Sequence, residues 1–179
     1  GLGDVYKRQF ENGVEVNIDW VDSEDINDST VDKLLSDCDG VILPGGFGHR
    51  GIEGMICAAN YCRVRNIPYF GICLGMQIAV ISYARNVLGY EDADSGEFAP
   101  ESRHRVIDLM ESQYGVSTKG GTMRLGAYEC VLQKGSKAYQ AYGQEHIQER
   151  HRHRYEFNND YKDRYEAAGM KCVGINPES

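Results

Sequence analysis

A cysteine set between two glycines, Gly71-Ile72-Cys73-Leu74-Gly75, is where this chain could most readily do covalent chemistry. It follows the short apolar run 67–70 and opens a pattern in which Leu74, Ile78, Ile81 and Leu88 recur at roughly helical intervals. A strand, a tight turn and a helix around one reactive side chain make a nucleophile elbow. Glycines flank the turn because a Cβ there collides with it. The helix start offers unpaired N–H groups and a positive dipole end, which favour a thiolate. Cys73 is therefore the candidate nucleophile, aimed into a cleft at the carboxyl edge of a sheet. An inert, buried cysteine is the competing reading, and the glycine and helix context weighs against it.

A second glycine turn, Pro44-Gly45-Gly46-Phe47-Gly48, follows the apolar run 40–43. In an open parallel sheet, ligands sit outside the carboxyl ends of the strands. Both turns occupy such ends, on strands close in sequence. The N–H groups of Gly46 and Leu74 then form an oxyanion hole for a tetrahedral intermediate. Taken alone, Gly45-Gly46 reads equally as a tight turn or a weak phosphate loop. A thiol nucleophile also needs a base. The five histidines are 49, 104, 146, 151 and 153, and spacing places none of them beside Cys73.

These residues need a scaffold. Val14, Val16, Ile18 and Trp20 alternate with polar residues and predict a strand. Asp28-Ser29-Thr30 supplies capping residues for a short helix through Val31, Leu34 and Leu35. A buried strand is expected at 40–43, a helix over 51–65, a strand at 67–70 and the elbow helix to about 88. Strands alternating with helices predict an α/β fold, a mostly parallel open sheet flanked by helices. Further strands are expected at 105–110, 125–132, 155–158 and 171–175, and no internal repeat is evident. Residues 1–9 lack periodicity and read as a non-native leader, leaving 10–179 as one partial domain that ends abruptly on a strand.

Bulk properties bound the function. The 179 residues are 41% hydrophobic and 26% charged, which suits one globular domain. A net charge of −8 and a pI near 5.1 argue against nucleic acid or anionic membranes as partners. No apolar run has the length of a membrane span, and no secretory leader is evident. The six cysteines form no CxxC pair, so reduced thiols in a cytoplasmic protein are expected and no metal site is.

Four stretches carry a resemblance: residues 44–55, residues 67–77, Gly120-Gly-Thr-Met-Arg-Leu-Gly126 and Glu149-Arg-His-Arg-His-Arg-Tyr-Glu-Phe-Asn158. Together they resemble the class I (triad-type, flavodoxin-like) glutamine amidotransferase domain of the CTP synthases, over nearly all of 10–175. The resemblance implies that Cys73 forms a glutamyl thioester and releases ammonia. A synthase domain of the same full-length chain would use that ammonia to aminate UTP, with ATP and Mg2+. It implies oxyanion-hole roles for Gly46 and Leu74, and glutamine-binding roles for Leu74, Gly75, Met76, Gln77, Glu97 and Arg154. Glu97 suits the substrate α-ammonium, and Arg154 a carboxylate or carbonyl. Thr122 and Arg124 match a lid that responds to GTP, the activator. No cofactor is expected in this domain, and the full-length enzyme is expected to be a homotetramer.

Some of the family's parts are not matched. No stretch of the 179 residues resembles the synthase domain, and the family's His-Pro-Glu segment, which supplies the base and its orienting carboxylate, is expected beyond residue 179. The isolated chain is therefore expected to have negligible glutaminase activity, since triad members act as a unit. The alternative is a non-catalytic module that binds glutamine or a nucleotide effector. A third option, another cysteine hydrolase on the same fold, is disfavoured by the stretches at 120–126 and 149–158.

Overall fold

The computed structural model describes residues 12–46, 48–109 and 124–177. The first half alternates helix and strand: α1 (Val31–Leu35), β1 (Val41–Leu43), α2 (Ile52–Arg65), β2 (Tyr69–Gly71) and α3 (Leu74–Tyr83). A π-helical turn over Ala84–Leu88 extends α3 and stops at Gly89, whose φ of 76° suits glycine. There follow β3 (Asp94–Ser95), β4 (Arg105–Leu109), β5 (Arg124–Leu132), α4 (Lys137–Tyr142), β6 (His146–His153), β7 (Tyr155–Phe157), α5 (Lys162–Ala168) and β8 (Gly174–Ile175). The expected α/β fold class is what forms.

Strands β1 and β2 pair in parallel, Leu43 opposite Gly71, so the two glycine turns leave the same sheet edge side by side. Strand β3 runs parallel to β4, while β4–β7, β5–β6 and β5–β8 are antiparallel. Helix α2 is bounded at both ends by left-handed residues, Gly51 and Asn66. Glu53 in its first turn and Arg63 and Arg65 in its last complement the helix dipole. The main core gathers Leu43, Ile56, Leu74, Ile78, Ile81, Val106, Ile107 and Tyr165, joining β1, α2, α3, β4 and α5. Two buried bonds tie the elbow helix into this core. Ser82 Oγ donates to Ile56 O at 3.0 Å, and Tyr165 OH donates to Val80 O at 2.9 Å. Among the described residues no helix is long and apolar enough to cross a membrane.

The structure departs from expectation in several places. Residues 14–20 are not a strand, and Trp20 is 76% exposed. Alternation marks a strand only where a ladder partner exists, and among the described residues β1 pairs with β2 alone. The strand around 40–43 is not fully buried: Ile42 lies opposite Phe70, and both are exposed. The helices pack on the other face, against Leu43 and Tyr69. At α1, Thr30 makes no capping bond. Its hydroxyl instead accepts from Asn27 N and donates to Asp25 O. The strand foreseen at 171–175 is reduced to Gly174–Ile175, and β6, α4 and α5 were not foreseen. The leader reading at 1–9 lies outside the described residues.

Candidate functional site

The elbow is built from a collision that only glycine avoids. A Cβ on Gly71 would lie 2.4 Å from the carbonyl carbon and oxygen of Gly75. One on Gly75 would lie 2.1 Å from Leu43 O. Glycine at both positions lets α3 begin in contact with the ends of β1 and β2. Leu43 O also accepts Ile72 N–H at 2.9 Å, and Tyr69 OH donates to Gly75 O at 2.7 Å. Burial keeps the Tyr69 phenol well above its usual pKa range, so it remains a donor.

Squeezed between these fixed points, Cys73 adopts φ 54°, ψ −105°, a conformation that non-glycine residues avoid. Asn66 is the other described non-glycine residue with positive φ, and it is an ordinary left-handed helix cap. Cys73 is exposed. It sits at the N-terminal, positive end of the α3 dipole. All six cysteines are free thiols. Burial pushes Cys38, Cys57, Cys62 and Cys130 upward in pKa, Cys62 to about 11.

The second glycine turn meets the elbow directly. A Cβ on Gly45 would be 3.3 Å from Cys73 Cβ, and one on Gly46 would be 3.4 Å from Leu74 Cδ2. Bare backbone of residues 45 and 46 therefore faces the nucleophile and the residue after it. Leu74 and Gly75 are buried, while Met76 is 41% exposed at the site's edge. Gln77 is also buried, and its amide donates to Tyr155 O at 3.1 Å. That bond holds the start of β7, and Arg154 just before it, against the elbow helix. Arg154 Nε is buried without a hydrogen-bond partner among the described residues. A donor stripped of water and left unpaired is suited to an incoming acceptor.

Glu97 is exposed on the turn after β3. Its N–H donates to Ser95 Oγ at 3.2 Å, and Ser95 is fully buried. Phe98, next in the chain, packs edge-on against His49 with ring centroids 5.2 Å apart. His49 follows the Gly45–Gly48 turn, so this contact places the Glu97 turn beside the elbow's glycine partner. A separate cleft of about 490 Å3 lies beyond Phe98 and His49, lined also by Glu24, Glu53 and Asp94. Cys73 does not line it. The remaining histidines have partners elsewhere: His104 with Asp92, His146 with Glu129, and His151 with His153.

Of the residues the sequence singled out, the structure gathers Gly46, Cys73, Leu74, Gly75 and Met76 at one sheet edge. It brings the Glu97 turn and Arg154 toward them through Phe98 and Gln77. Thr122 and Phe47 lie outside the described residues, and Arg124 enters only through its backbone, opposite His153. Sequence reasoning missed Ser95 and Tyr69, which act on the Glu97 turn and the elbow through contacts that leave no local spacing.

Comparison with known proteins identifies the family. The family profile described as "Glutamine amidotransferase class-I" matches residues 4–179. The CTP synthase of Bacteroides thetaiotaomicron is 63% identical over 186 residues, covering 99% of this chain and 35% of that protein. The CTP synthase of Clostridium acetobutylicum is 54% identical over 169 residues, covering 94% of this chain and 32% of that protein. A solved structure, the glutaminase domain of Trypanosoma brucei CTPS with bound acivicin, superposes with a TM-score of 0.88 at 40% identity. That match covers 94% of this chain and 65% of the other. The chain thus spans about a third of the length of the curated relatives it matches, within the glutaminase region. It belongs to the class I glutamine amidotransferases, in the branch represented by the glutaminase domain of CTP synthase.

Proposed function

We propose that this chain is the ammonia-generating part of a CTP synthase, hydrolysing L-glutamine through Cys73. The Cys73 sulfur attacks the γ-carboxamide carbon and forms a C–S bond while the carbonyl electrons move onto oxygen. The N–H groups of Gly46 and Leu74 face that oxyanion. Such donors act because they are fixed before charge develops, and each is worth about 3 kcal/mol of barrier. Collapse of the intermediate breaks the C–N bond, and the amide nitrogen leaves as ammonia after taking the proton the thiol gave up. Water then attacks the thioester, releasing glutamate and restoring the thiol. Glu97 receives the substrate α-ammonium, Arg154 Nε an acceptor at the pocket's edge, and Gln77 holds Arg154 in place.

The observation that carries this reading is the strained Cys73 backbone held against Gly45 at the start of α3. A merely structural thiol gains nothing from a conformation costing about 1–3 kcal/mol. The proton carrier is the histidine of the family's His-Pro-Glu segment, outside residues 1–179, with a carboxylate orienting it. Ammonia then passes to a synthase domain, which aminates UTP. By this reading the isolated chain turns over glutamine negligibly, whereas its pocket still recognises a glutamine-like α-amino acid electrophile such as acivicin. Intact mass after acivicin treatment is expected to show one adduct, at Cys73, and none in Cys73→Ala. Adducts spread over other cysteines, or substantial ammonia release by the chain alone, refute the proposal.

A further inference from the structure

We infer that Arg85 is a positioning residue for glutamine recognition, clamping the turn that presents Glu97. This rests on the role assigned to Glu97 above. Arg85 lies in the π-helical turn after α3 and is only 19% exposed at its side chain. Its guanidinium makes four hydrogen bonds to the protein. Nε donates to Ala93 O at 2.7 Å, Nη2 donates to Asp94 Oδ2 at 2.9 Å, and Nη1 donates to both carboxylate oxygens of Glu53 at 3.0 Å. One rigid fork thus joins the extension of the elbow helix, helix α2 and the start of β3. An ammonium on a flexible stem cannot reproduce that planar set of bonds.

The clamp reaches Glu97 through a short chain of contacts. Asp94 is 16% exposed at its side chain, and its other oxygen accepts Ser95 N–H at 2.7 Å. Ser95 is sealed in the core, and its Oγ accepts Glu97 N–H while its carbonyl accepts Phe98 N–H at 3.0 Å. Phe98 then meets His49. Strand β3 is only two residues long and pairs irregularly with β4, so the sheet alone holds this turn weakly. Surface ion pairs contribute little. The Arg85–Asp94 pair is different, being largely shielded from solvent and bonded on both sides. Its effect is on the direction in which an exposed carboxylate points. Arg85 itself is no catalytic residue, because its guanidinium is turned onto Ala93, Asp94 and Glu53 rather than onto the reacting atoms.

The test uses the chain as it stands, in a Cys172→Ser background that removes the other exposed thiol. Two electrophiles are compared at Cys73. Acivicin carries an α-amino acid head that Glu97 can read, and iodoacetamide carries none. Glu97→Gln is expected to raise the acivicin concentration for half-maximal labelling rate by about tenfold or more, the loss of a charge-assisted bond. Arg85→Lys is expected to raise it about threefold to tenfold, with the iodoacetamide rate within about twofold of the parent. The double variant is expected to lose no more than Glu97→Gln alone, because both changes act on one contact.

Glu97→Gln without effect on acivicin overturns the role of Glu97. A clear Glu97→Gln loss with Arg85→Lys unchanged overturns the clamp while leaving that role intact. Additive losses in the double variant, or equal loss toward both electrophiles, also overturn the clamp, since either means that Arg85 acts on something other than Glu97. Arg85→Met serves as the stronger variant, with the iodoacetamide rate reporting that its elbow is still formed.

Discussion

Gly75→Ala tests the close approach between the elbow helix and β1. The added methyl would sit 2.1 Å from Leu43 O, 3.0 Å from Leu43 C and 3.2 Å from Leu43 Cβ. Carbon and oxygen need about 3.3 Å, so relief requires roughly 1 Å of relative movement. Neither side yields easily. Leu43 O is held by Ile72 N–H at 2.9 Å and by the ladder that sets Leu43 opposite Gly71. Gly75 O is held by the Tyr69 hydroxyl at 2.7 Å. Overpacking of this kind costs about 1–3 kcal/mol, and a backbone-to-backbone collision belongs at the upper end. Alanine's better helix propensity returns about 1 kcal/mol. The net loss of about 2 kcal/mol lowers Tm by roughly 4–8 °C for a chain of this size. Gly46→Ala is the control. Its methyl meets only the end of the Leu74 side chain at 3.4 Å, so stability is expected to change by about 0.5 kcal/mol or less. Circular dichroism melts of both variants decide the matter. A Gly75→Ala melt within about 1 °C of the parent, or an equal loss in Gly46→Ala, refutes the packing argument.

Two further outcomes follow from buried groups. Tyr69→Phe removes the hydroxyl donor to Gly75 O, a carbonyl that also belongs to the α3 helix ladder, so a loss of about 0.5–1.5 kcal/mol is expected in urea denaturation. Cys62, fully buried, has its pKa raised by burial from 9.0 to about 11, with nearby Cys38 adding to the shift. A raised folded-state pKa means that the native state holds its proton longer, so the stabilisation is complete below pH 9.0 and is lost as pH rises through about 11. The buried phenols of Tyr69 and Tyr165 shift in the same direction. The urea midpoint is therefore expected to fall between pH 8.5 and 10.5, and Cys62→Ala to flatten part of that fall. A midpoint that rises over this range contradicts the assignment.

The elements around the elbow were legible because their signals are local. Glycine spacing at 71 and 75, apolar period through Ile78 and Ile81, and the break at Gly89 each report on residues within one or two turns. The strand foreseen at 14–20 failed for the complementary reason. Alternation gives a segment one apolar face but cannot supply the neighbour it must pair with, and Trp20 stands in solvent. Strand β6 was missed because its burial pattern leaves Ile147 alone in the core, so hydrophobic period had little to show.

For the site itself, the residues alone established a thiol at a glycine-flanked helix start and a second glycine turn able to offer bare N–H groups. Motif identity added Glu97 and Arg154 as names without positions. Tertiary structure decided the rest: that Gly45 faces Cys73 so closely that a Cβ on it would crowd the nucleophile, that Gln77 reaches across 78 residues of chain to hold Tyr155 beside Arg154, and that Arg85 grips the turn bearing Glu97. These contacts join segments distant in sequence. Their energies come from packing, burial and shared hydrogen bonds, which exist only once the chain has closed on itself, so spacing along the chain carries no trace of them.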